Sequence, residues 1–222
     1  ISGLGTYFKE TSPDTKVVGV EPEGAASMAA AFAAGEAVEL SSIEKFVDGA
    51  AVKRVGDMNY QVAKAVSSKM VAVPEGKVCE EMIALYQTDG IVTEPAGALS
   101  VAALSLVKDE IKGKKVVCVL SGGNNDISRY AEIMDRALMY QGLKHYFVIE
   151  FSQRPGALRE FLDNILGPND DITLFEYTKK NNRESGPALV GIELAKKEDF
   201  DGLINRMDNS DLQYQLLKRD SS

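Results

Sequence analysis

The sequence predicts an α/β domain built on a parallel sheet, followed by a smaller α+β domain of the ferredoxin-like (βαββαβ) type. Up to about residue 142, short runs of β-branched apolar residues alternate with longer segments that have apolar residues at helical spacing. This alternation is typical of parallel sheets covered on both faces. From residue 145 the predicted order becomes β-α-β-β-α-β, a split βαβ arrangement. We therefore predict two domains, 1–142 and 143–222, with a boundary near Gly142.

The first domain contains four predicted strands and four predicted helices. The strands are KVVGVEP (16–22), KMVAVP (69–74), GIVTEP (90–95) and KKVVCVLSGG (114–123). The helices are an Ala-rich segment at 24–34 and three amphipathic segments at 56–69, 75–89 and 96–111. The opening ISGLGTYFKE also reads as the first turns of a helix. Ligands of parallel sheets gather at the carboxyl ends of strands, so functional residues are expected there.

The second domain is predicted from six shorter elements. The strands lie at 145–151, 171–180, 186–194 and 214–218, and the helices at 156–166 and 197–209. Residues 181–186, NNRESG, predict the turn between the two central strands, because Asn, Ser and Gly favour turns.

Composition excludes several classes of partner. The chain of 222 residues carries 25 Lys and Arg against 33 Asp and Glu, a net charge of -8 with the two signs interspersed. Nucleic acids and anionic membranes gain little from such a surface. No apolar run approaches the roughly 20 residues of a membrane-spanning helix. Two cysteines, Cys79 and Cys118, are too few for a disulfide framework, which predicts a reducing, cytoplasmic location.

The stretch CVLSGGNNDISRYAEIM (118–134) is the first candidate site. A predicted buried strand ends at Ser121-Gly122-Gly123 and a helix follows, so backbone N–H groups and one hydroxyl face whatever lies beyond the strand. Glycines there allow a flat ligand or a phosphate to approach closely. The alternative is a plain turn in which Asn125 or Asp126 caps the helix.

Acidic residues follow two other predicted strands. Glu94 stands before Pro95 at the end of strand 90–93, and its alternative role is an acid stabilised by the helix dipole. Asp48 and Gly49 lie in a loop that either lines the same pocket or is an ordinary surface loop. Glu21, followed by Glu23 and Ser27, offers too few acids for a cation site, so no metal is assigned.

The single histidine, His145, has no Cys or Ser nearby in a nucleophile setting, which argues against hydrolase triads and zinc sites. In the second domain, Arg154-Pro155-Gly156 lies between the first strand and the first helix. The free helix N-terminus can receive a carboxylate, and Gly156 lets a ligand lie close. The alternative is a simple Pro-Gly turn.

These residues together resemble the biosynthetic threonine dehydratase (threonine deaminase) family of fold type II pyridoxal-phosphate enzymes. VGVEPEGAASM, FVDGAAVKRVGD, TEPAGALSVAAL and VVCVLSGGNND occur in the family's order and approximate spacing. Residues 145–218 resemble the family's ACT-like regulatory domain through YFVIEFSQRPGALREFL. Each motif is weak alone, whereas four in order before that module are specific.

The resemblance implies the cofactor pyridoxal 5'-phosphate and roles for several residues. Ser121 would hydrogen-bond the pyridine nitrogen, and a neutral hydroxyl there favours β-elimination of water. Glu94 would lie near the ring, and the loop of Asp48 would border the active site. The implied cofactor-binding residues are Ser121, Gly122, Gly123, Asn124, Glu94, Asp48 and Gly49. In metal-binding relatives an acid stands where this chain has Ser27, which leaves the metal unassigned.

The implied activity is deamination of L-threonine to 2-oxobutanoate and ammonia, in isoleucine biosynthesis. The second domain would bind isoleucine, or valine, as a feedback effector. The implied effector-binding residues are Arg154, Pro155, Gly156, Ala157 and Leu158. Because regulatory modules of this kind pair through a sheet edge or face, we also expect a homo-oligomer.

Two features of the family are missing from this sequence. No lysine lies in a Ser/Asn-Phe-Lys-x-Arg-Gly-like motif, which carries the cofactor as an aldimine, and the glycine-rich phosphate loop is not found. No catalytic residue is therefore assigned, and we expect the chain to be the later part of a longer enzyme and inactive alone. The alternatives are an amino-acid-binding regulatory fragment, and a serine dehydratase or racemase relative.

Overall fold

The computed structural model describes residues 1–177 and 185–217. The chain divides into two compact units, one comprising Ile1–Ala137 and the other beginning at Leu138. Each unit has its own buried apolar cluster, so each is described by itself.

The first unit contains a two-stranded parallel sheet. Strand β1 (Val18–Pro22) pairs with β2 (Lys69–Val73), with Val20 opposite Val71. The helices are α1 (Ser2–Thr11), α2 (Ser27–Ala34), α3 (Asp57–Val66), α4 (Glu75–Ala84), α5 (Pro95–Ala102) and α6 (Lys108–Ile111). Helix α7 (Tyr130–Gln141) begins in this unit. The parallel pairing predicted from the alternating pattern is confirmed for these two strands.

Several helices depart from their predicted bounds in a regular way. The predicted helix 24–34 begins as a 3-10 turn at Glu23–Ala25, and α4 ends in a π turn at Leu85–Asp89. The predicted helix 96–111 is α5, a 3-10 turn at Ala103–Leu106, and α6. Turns of the 3-10 type are common where a helix starts or ends, whereas a π turn is rare.

The strands predicted at 90–95 and 114–123 are wrong in this structure. Neither segment belongs to a sheet among the described residues, and Val117 and Val119 are 88% and 55% exposed. Their β-branched residues have strand propensity, but a strand also needs a neighbour for its backbone groups. Residues 118–122 are instead held beside α5, because the Ser100 hydroxyl donates to the Val119 carbonyl at 2.9 Å.

Two buried apolar clusters, each containing alanines beside larger side chains, pack the helices of the first unit together. The main cluster joins α4, α5 and α7 through Val78, Met82, Ala98, Ala102 and Ile133. A second cluster joins α2 and α3 through Met28, Ala31, Tyr60 and Ala63. Burying one large apolar side chain contributes about 1.5–3 kcal/mol, so these clusters hold the segments between them in place.

The second unit is a four-stranded antiparallel sheet with two helices. Its elements are β3 (Lys144–Ser152), α8 (Ala157–Asn164), β4 (Asp171–Tyr177), β5 (Ser185–Glu193), α9 (Asp199–Asp208) and β6 (Gln213–Leu217). The strand order is β4-β5-β3-β6. This order and the βαββαβ sequence of elements confirm the predicted ferredoxin-like fold.

Alternate residues of the central strands build the core of the second unit. Phe147 and Ile149 of β3 and Val190 and Ile192 of β5 are fully buried, and the helices add Phe161, Leu203 and Met207. The period of two is the pattern of a sheet with one covered face. Residues 181–184 of the predicted turn, 178–180 of the predicted strand and Lys218 lie outside the described residues, whereas Ser185 and Gly186 belong to β5.

No helix in residues 1–177 and 185–217 combines the length and the apolar character that crossing a membrane requires.

Candidate functional site

Two backbones meet at the start of helix α5 without room for a side chain between them. The Glu94 amide donates to the Gly122 carbonyl at 3.0 Å. A Cβ placed on Gly97 would lie 2.5 Å from that carbonyl oxygen, and one placed on Gly122 would collide with the Glu94 carboxylate. Glycine is therefore required at both positions by close approach.

The loop of Asp48 and Gly49 meets the same place. A Cβ on Gly49 would lie 2.9 Å from the Ala96 Cβ and 3.7 Å from Glu94 Oε1. The Gly49 amide donates to the Asp48 carboxylate at 2.9 Å, which fixes the turn of the loop. Three segments predicted separately from sequence, 48–49, 94 and 121–124, are thus neighbours in the first unit.

Polar groups on this wall lack partners within the described part of the chain. Ser121 is exposed, and its hydroxyl makes no hydrogen bond to the described residues. The Thr93 hydroxyl and the side-chain amide of Asn125 are buried and have no hydrogen-bond partner among the described residues. Asp126 accepts from the Ser128 amide at 2.9 Å, and this hydrogen bond lowers the pKa of Asp126. Asp126 therefore has the helix-capping role that the sequence offered as an alternative, and Ser121–Asn124 take no part in this cap.

Sequence reasoning missed two arginines near the same loop. The guanidinium carbons of Arg129 and Arg136 lie 5.0 Å and 4.0 Å from the centre of the Phe46 ring. Phe46 is only 4% exposed. The seven-residue spacing of the arginines, which returns to the same helix face, is the signal that could have found them.

Glu21 serves a helix rather than a cation. Its two carboxylate oxygens accept from the Met28 and Ala29 amides at 2.7 and 2.8 Å, at the N-terminus of α2. Burial raises the pKa of Glu21, and the two backbone hydrogen bonds oppose that rise. No group of three or more His, Cys, Asp or Glu side chains within the described residues could hold a metal.

The second unit carries a groove of about 660 Å³ between helices α8 and α9, the end of strand β3 and residues 210–212. Phe151, Phe161 and Ile165 supply its apolar part. Its charged lining residues are Glu150, Arg154, Glu160, Arg206 and Asp211. The groove is therefore lined by polar and apolar side chains in similar measure, and charged groups of both signs converge on it.

Only part of the predicted effector loop faces that groove. Arg154 and Ala157 line it, whereas Pro155, Gly156 and Leu158 do not. Gly156 has φ of +92°, in the left-handed region, which favours glycine at this position. Leu158 is 41% exposed.

Arg154 already holds a carboxylate of its own chain. Arg154 Nη1 donates to Glu160 Oε1 at 2.7 Å, and Nη2 donates to Oε2. This fork raises the pKa of Arg154 and lowers the pKa of Glu160. Both side chains are about half exposed, at 55% and 53%, and exposed ion pairs are weak. A ligand carboxylate could therefore replace Glu160 at little cost.

His145 has a structural setting within the second unit. Its ring stacks on Phe200, with centres 4.0 Å apart, and Nε2 lies 3.0 Å from the Gly142 carbonyl oxygen. Burial lowers its pKa, while the hydrogen bond to Gly142 opposes the change.

A parallel α/β unit with a glycine-lined wall, followed along the chain by a ferredoxin-like unit, is typical of an enzyme that carries a regulatory module. Residues 1–122 match the family model for pyridoxal-phosphate dependent enzymes, and residues 135–222 match that for the C-terminal regulatory domain of threonine dehydratase. The chain belongs to the family of pyridoxal-phosphate dependent enzymes.

Individual relatives confirm the resemblance predicted from sequence. L-threonine dehydratase from Bacillus subtilis is 58% identical over 99% of this chain and 52% of its own length. The Corynebacterium glutamicum enzyme of the same name is 51% identical over 98% of this chain and 50% of its own length. This chain therefore spans about half the length of the curated relatives it matches.

Solved structures agree with this fold. The processed form of threonine deaminase isoform 2 from Solanum lycopersicum has a TM-score of 0.58 and 32% identity, over 61% of this chain and 40% of that one. Serine racemase from Dictyostelium discoideum has a TM-score of 0.52 and 28% identity, over 57% of this chain and 40% of that one.

The residues on the wall fit the cofactor of the family, pyridoxal phosphate. The glycines at 49, 97 and 122 leave the meeting point of the three segments free of side chains of their own. The Ser121 hydroxyl is exposed beside it and has no protein partner among the described residues. A neutral hydroxyl of this kind suits the ring nitrogen, and a glycine surface suits a flat ring.

Proposed function

We propose that this chain forms part of an enzyme that deaminates L-threonine to 2-oxobutanoate and ammonia, within isoleucine biosynthesis. The meeting of Gly49, Glu94 and Gly122 beside the free Ser121 hydroxyl carries this proposal. The similarity to L-threonine dehydratases over almost the whole chain supports the substrate. The two thiols without a disulfide, Cys79 and Cys118, suit a reducing, cytoplasmic location.

The cofactor-binding residues would be Ser121, Gly122, Gly123, Asn124, Glu94, Asp48 and Gly49. Bound pyridoxal phosphate supplies an electron sink for the negative charge that remains when the substrate loses its α-proton. Ser121 would hold the ring nitrogen through a neutral hydroxyl, which does not protonate that nitrogen and so moderates the sink. The Glu94 amide is already engaged by Gly122, so Glu94 fixes the wall through its backbone.

Replacement of Ser121 by alanine in the full-length enzyme tests this assignment. We expect a shifted absorbance spectrum of the bound cofactor and a lower rate of 2-oxobutanoate formation, because the ring nitrogen loses its hydrogen-bond partner. Ser128→Ala is the matched control, since both the amide and the side chain of Ser128 interact with Asp126 and Ser128 lies outside the three segments that meet at the wall. An unaltered spectrum in the Ser121 variant would remove this residue from the site.

The second unit would bind isoleucine, or valine, as a feedback effector. The groove offers apolar side chains for a branched aliphatic chain and groups of both charges for a zwitterion. Arg154 would take the effector carboxylate in place of Glu160, because a planar guanidinium binds carboxylates through two parallel hydrogen bonds. Arg154, Pro155, Gly156, Ala157 and Leu158 remain our proposed effector loop.

Calorimetric titration of the full-length protein with isoleucine tests the regulatory proposal. We expect Arg154→Ala to weaken binding at least tenfold while leaving the thermal unfolding midpoint nearly unchanged, since the side chain is exposed. Arg159→Ala, an exposed neighbour on α8 outside the groove, is the control and should bind normally. If isoleucine and valine give no heat and no thermal shift with the wild-type protein, the effector proposal fails.

We further propose a homo-oligomer that pairs through the second unit. Strands β4 and β6 are the outer strands of its sheet, and outer strands offer unpaired backbone groups for pairing with another chain. Sedimentation with and without isoleucine measures the assembly. A monomer under both conditions would contradict the proposal.

Serine racemization or serine dehydration is the second candidate function. Serine racemases from Dictyostelium discoideum and maize match with 28% and 26% identity and TM-scores of 0.52 and 0.54. Those matches cover 57% and 61% of the chain, whereas the L-threonine dehydratases match nearly all of it. Substrate profiling of the full-length enzyme with L-threonine, L-serine and D-serine separates the two functions.

A further inference from the structure

The loop at residues 44–49 is ordered without belonging to a helix or strand. Phe46 is 4% exposed and Val47 is fully buried, although the surrounding residues form no regular element. Loops with so little regular structure are mobile unless side chains tie them down. The position of Gly49 against Ala96 depends on whatever holds this loop.

Arg136 of helix α7 supplies the first tie. Its guanidinium carbon lies 4.0 Å from the centre of the Phe46 ring, a distance typical of a cation–π contact. Arg136 Nη2 lies 3.3 Å from Glu44 Oε1 and 2.8 Å from Glu132 Oε1, and its side chain is only 10% exposed. A nearly buried cation is thus shared by two carboxylates, one of them at the start of the loop.

Arg129, in the 3-10 turn before α7, supplies the second tie. Its Nη2 donates to the Phe46 carbonyl at 2.6 Å, and its Nη1 lies 3.6 Å from Asp48 Oδ2. Its guanidinium carbon is also 5.0 Å from the Phe46 ring centre. One arginine therefore contacts the loop through its backbone, through an aromatic ring and through the acid next to Gly49.

We propose that Arg129 and Arg136 are positioning residues, a clamp that holds loop 44–49 so that Gly49 stays against Ala96 and Glu94. The clamp acts on the cofactor wall through loop 44–49 and need not touch the cofactor. Its purpose rests on the proposed function of that wall. Its existence as a loop-holding device rests only on contacts within the first unit.

Hydrogen exchange of the full-length holoenzyme measures the clamp directly. We expect backbone amides of residues 44–52 to exchange at least tenfold faster in Arg129→Met and Arg136→Met, while the amides of α3 and α4 exchange at the wild-type rate. Lys69→Met, which removes the exposed pair with Glu110 elsewhere in the first unit, is the matched control and should leave the loop unchanged. Unchanged exchange at 44–52, or an equal increase throughout the unit, would overturn the clamp.

A second set of variants distinguishes release of the loop from a general loss of folding. Phe46→Leu keeps an apolar side chain but removes the ring, and should speed exchange of the loop with a smaller effect on unfolding than either methionine variant. Arg136→Lys retains the charge and should restore part of the protection. If the amides of residues 44–52 exchange at the wild-type rate in both Phe46→Leu and Arg136→Met, the arginines do not hold the loop through the Phe46 ring and the inference fails.

The cofactor spectrum and steady-state kinetics test the positioning role. In both methionine variants we expect an altered cofactor absorbance and a kcat for L-threonine reduced at least tenfold, with a smaller change in KM. Faster loop exchange together with a wild-type spectrum and kcat would overturn the positioning role. A wild-type enzyme that does not dehydrate L-threonine would overturn the proposed substrate instead, and the exchange result would still decide the clamp.

Discussion

At the scale of single residues, the candidate site depends on positions where a side chain is absent. Gly97 and Gly122 allow two backbones to touch, and Gly49 allows a third segment to join them. The polar side chains of the wall, Ser121 and Glu94, are placed by these contacts. The glycines therefore allow the close backbone contacts that form the wall, and the polar residues are positioned on it.

Gly97→Ala tests this packing. The added Cβ would lie 2.5 Å from the Gly122 carbonyl oxygen, so we expect the free energy of unfolding to fall by about 1–3 kcal/mol, the usual cost of overpacking. Gly3→Ala is the matched helical control, because nothing lies within 4 Å of its added Cβ. That control should be neutral or stabilising by up to about 1 kcal/mol, since alanine favours helices. Urea denaturation measures both, and equal effects would contradict the packing argument.

His145 should make the stability of the second unit depend on pH. Burial lowers its pKa below the ordinary 6.5, so the unfolded chain binds the proton more readily than the folded one. The stability that His145 contributes to the folded unit is therefore fully present above pH 6.5 and is lost as the pH falls through its lowered, folded-state pKa. Its replacement by phenylalanine keeps the stack on Phe200 and removes the titration.

Denaturation of the wild-type protein and of His145→Phe between pH 8 and pH 5 measures this effect, with the two unfolding free energies compared at each pH. Each unit of difference between the folded and unfolded pKa of His145 corresponds to about 1.4 kcal/mol of stability. We expect the wild type to lose stability relative to the variant as pH falls. A constant difference between the two proteins over this range would show that His145 does not titrate differently in the folded state.

Single residues differ in how far the sequence predicts them. Ser121, Glu94 and Asp48 lie in short motifs that are visible locally, and the structure brings their segments together although the strands predicted before Ser121 and Glu94 are wrong. The loop contacts of Arg129 and Arg136 are less visible, because their partners lie 83 and 92 positions away and the spacing of the arginines indicates only a shared helix face. The role of Glu21 is also hidden, because it depends on the chain turning back between β1 and α2. The assignment of site residues itself stays a prediction until the experiments above are done.

At the scale of elements, helix α2 begins on a buried carboxylate. Glu21, at the end of β1, receives two amides of the first turn of α2, so a strand and a helix share one cap. The amides at a helix N-terminus have no partners within the helix, and an acid there also meets the positive end of the helix dipole. This contact ties β1 to α2.

Glu21→Ala should therefore lower the free energy of unfolding by about 1–3 kcal/mol, the cost of leaving buried amides without partners. Glu23→Ala, two residues further on and exposed, is the control and should change stability by less than about 0.5 kcal/mol. Thermal and urea denaturation of both variants measure the difference. Equal stabilities would show that water replaces the carboxylate without cost.

Elements of the second unit were predicted more accurately than those of the first. The alternation in β3 and β5 has a period of two that reads directly from the sequence, and each of these strands finds its partners within the unit. The segments at 90–95 and 114–123 have equally strong β-branched runs but no pairing strand among the described residues. Local propensity predicts a strand's residues, whereas its neighbours decide whether a sheet forms.

At the scale of the whole molecule, the chain joins a unit that matches pyridoxal-phosphate dependent enzymes to a unit that matches a regulatory domain. The family models match 1–122 and 135–222, and the compact units divide between Ala137 and Leu138. The boundary we proposed near Gly142 lies just after α7 ends, at a glycine with φ of +73°. It stays a prediction, which limited proteolysis can locate.

The 222-residue chain alone should not form a stoichiometric (one-to-one) covalent complex with pyridoxal phosphate. None of its lysines lies in the motif that carries the cofactor in the resembling family, so borohydride reduction after cofactor addition should leave the mass of most chains unchanged. The full-length enzyme is the positive control. A stoichiometric adduct together with keto-acid formation would contradict this expectation.

The run at 116–120 leaves Val117 and Val119 facing solvent without a neighbouring strand among the described residues. Short segments of high β-propensity and low charge, free of proline, stack between molecules into fibrils. Lys114 and Lys115 stand directly before this run, where charged residues act as gatekeepers against such stacking. The shelf life of the isolated polypeptide should therefore shorten with concentration and with salt, which screens those two charges.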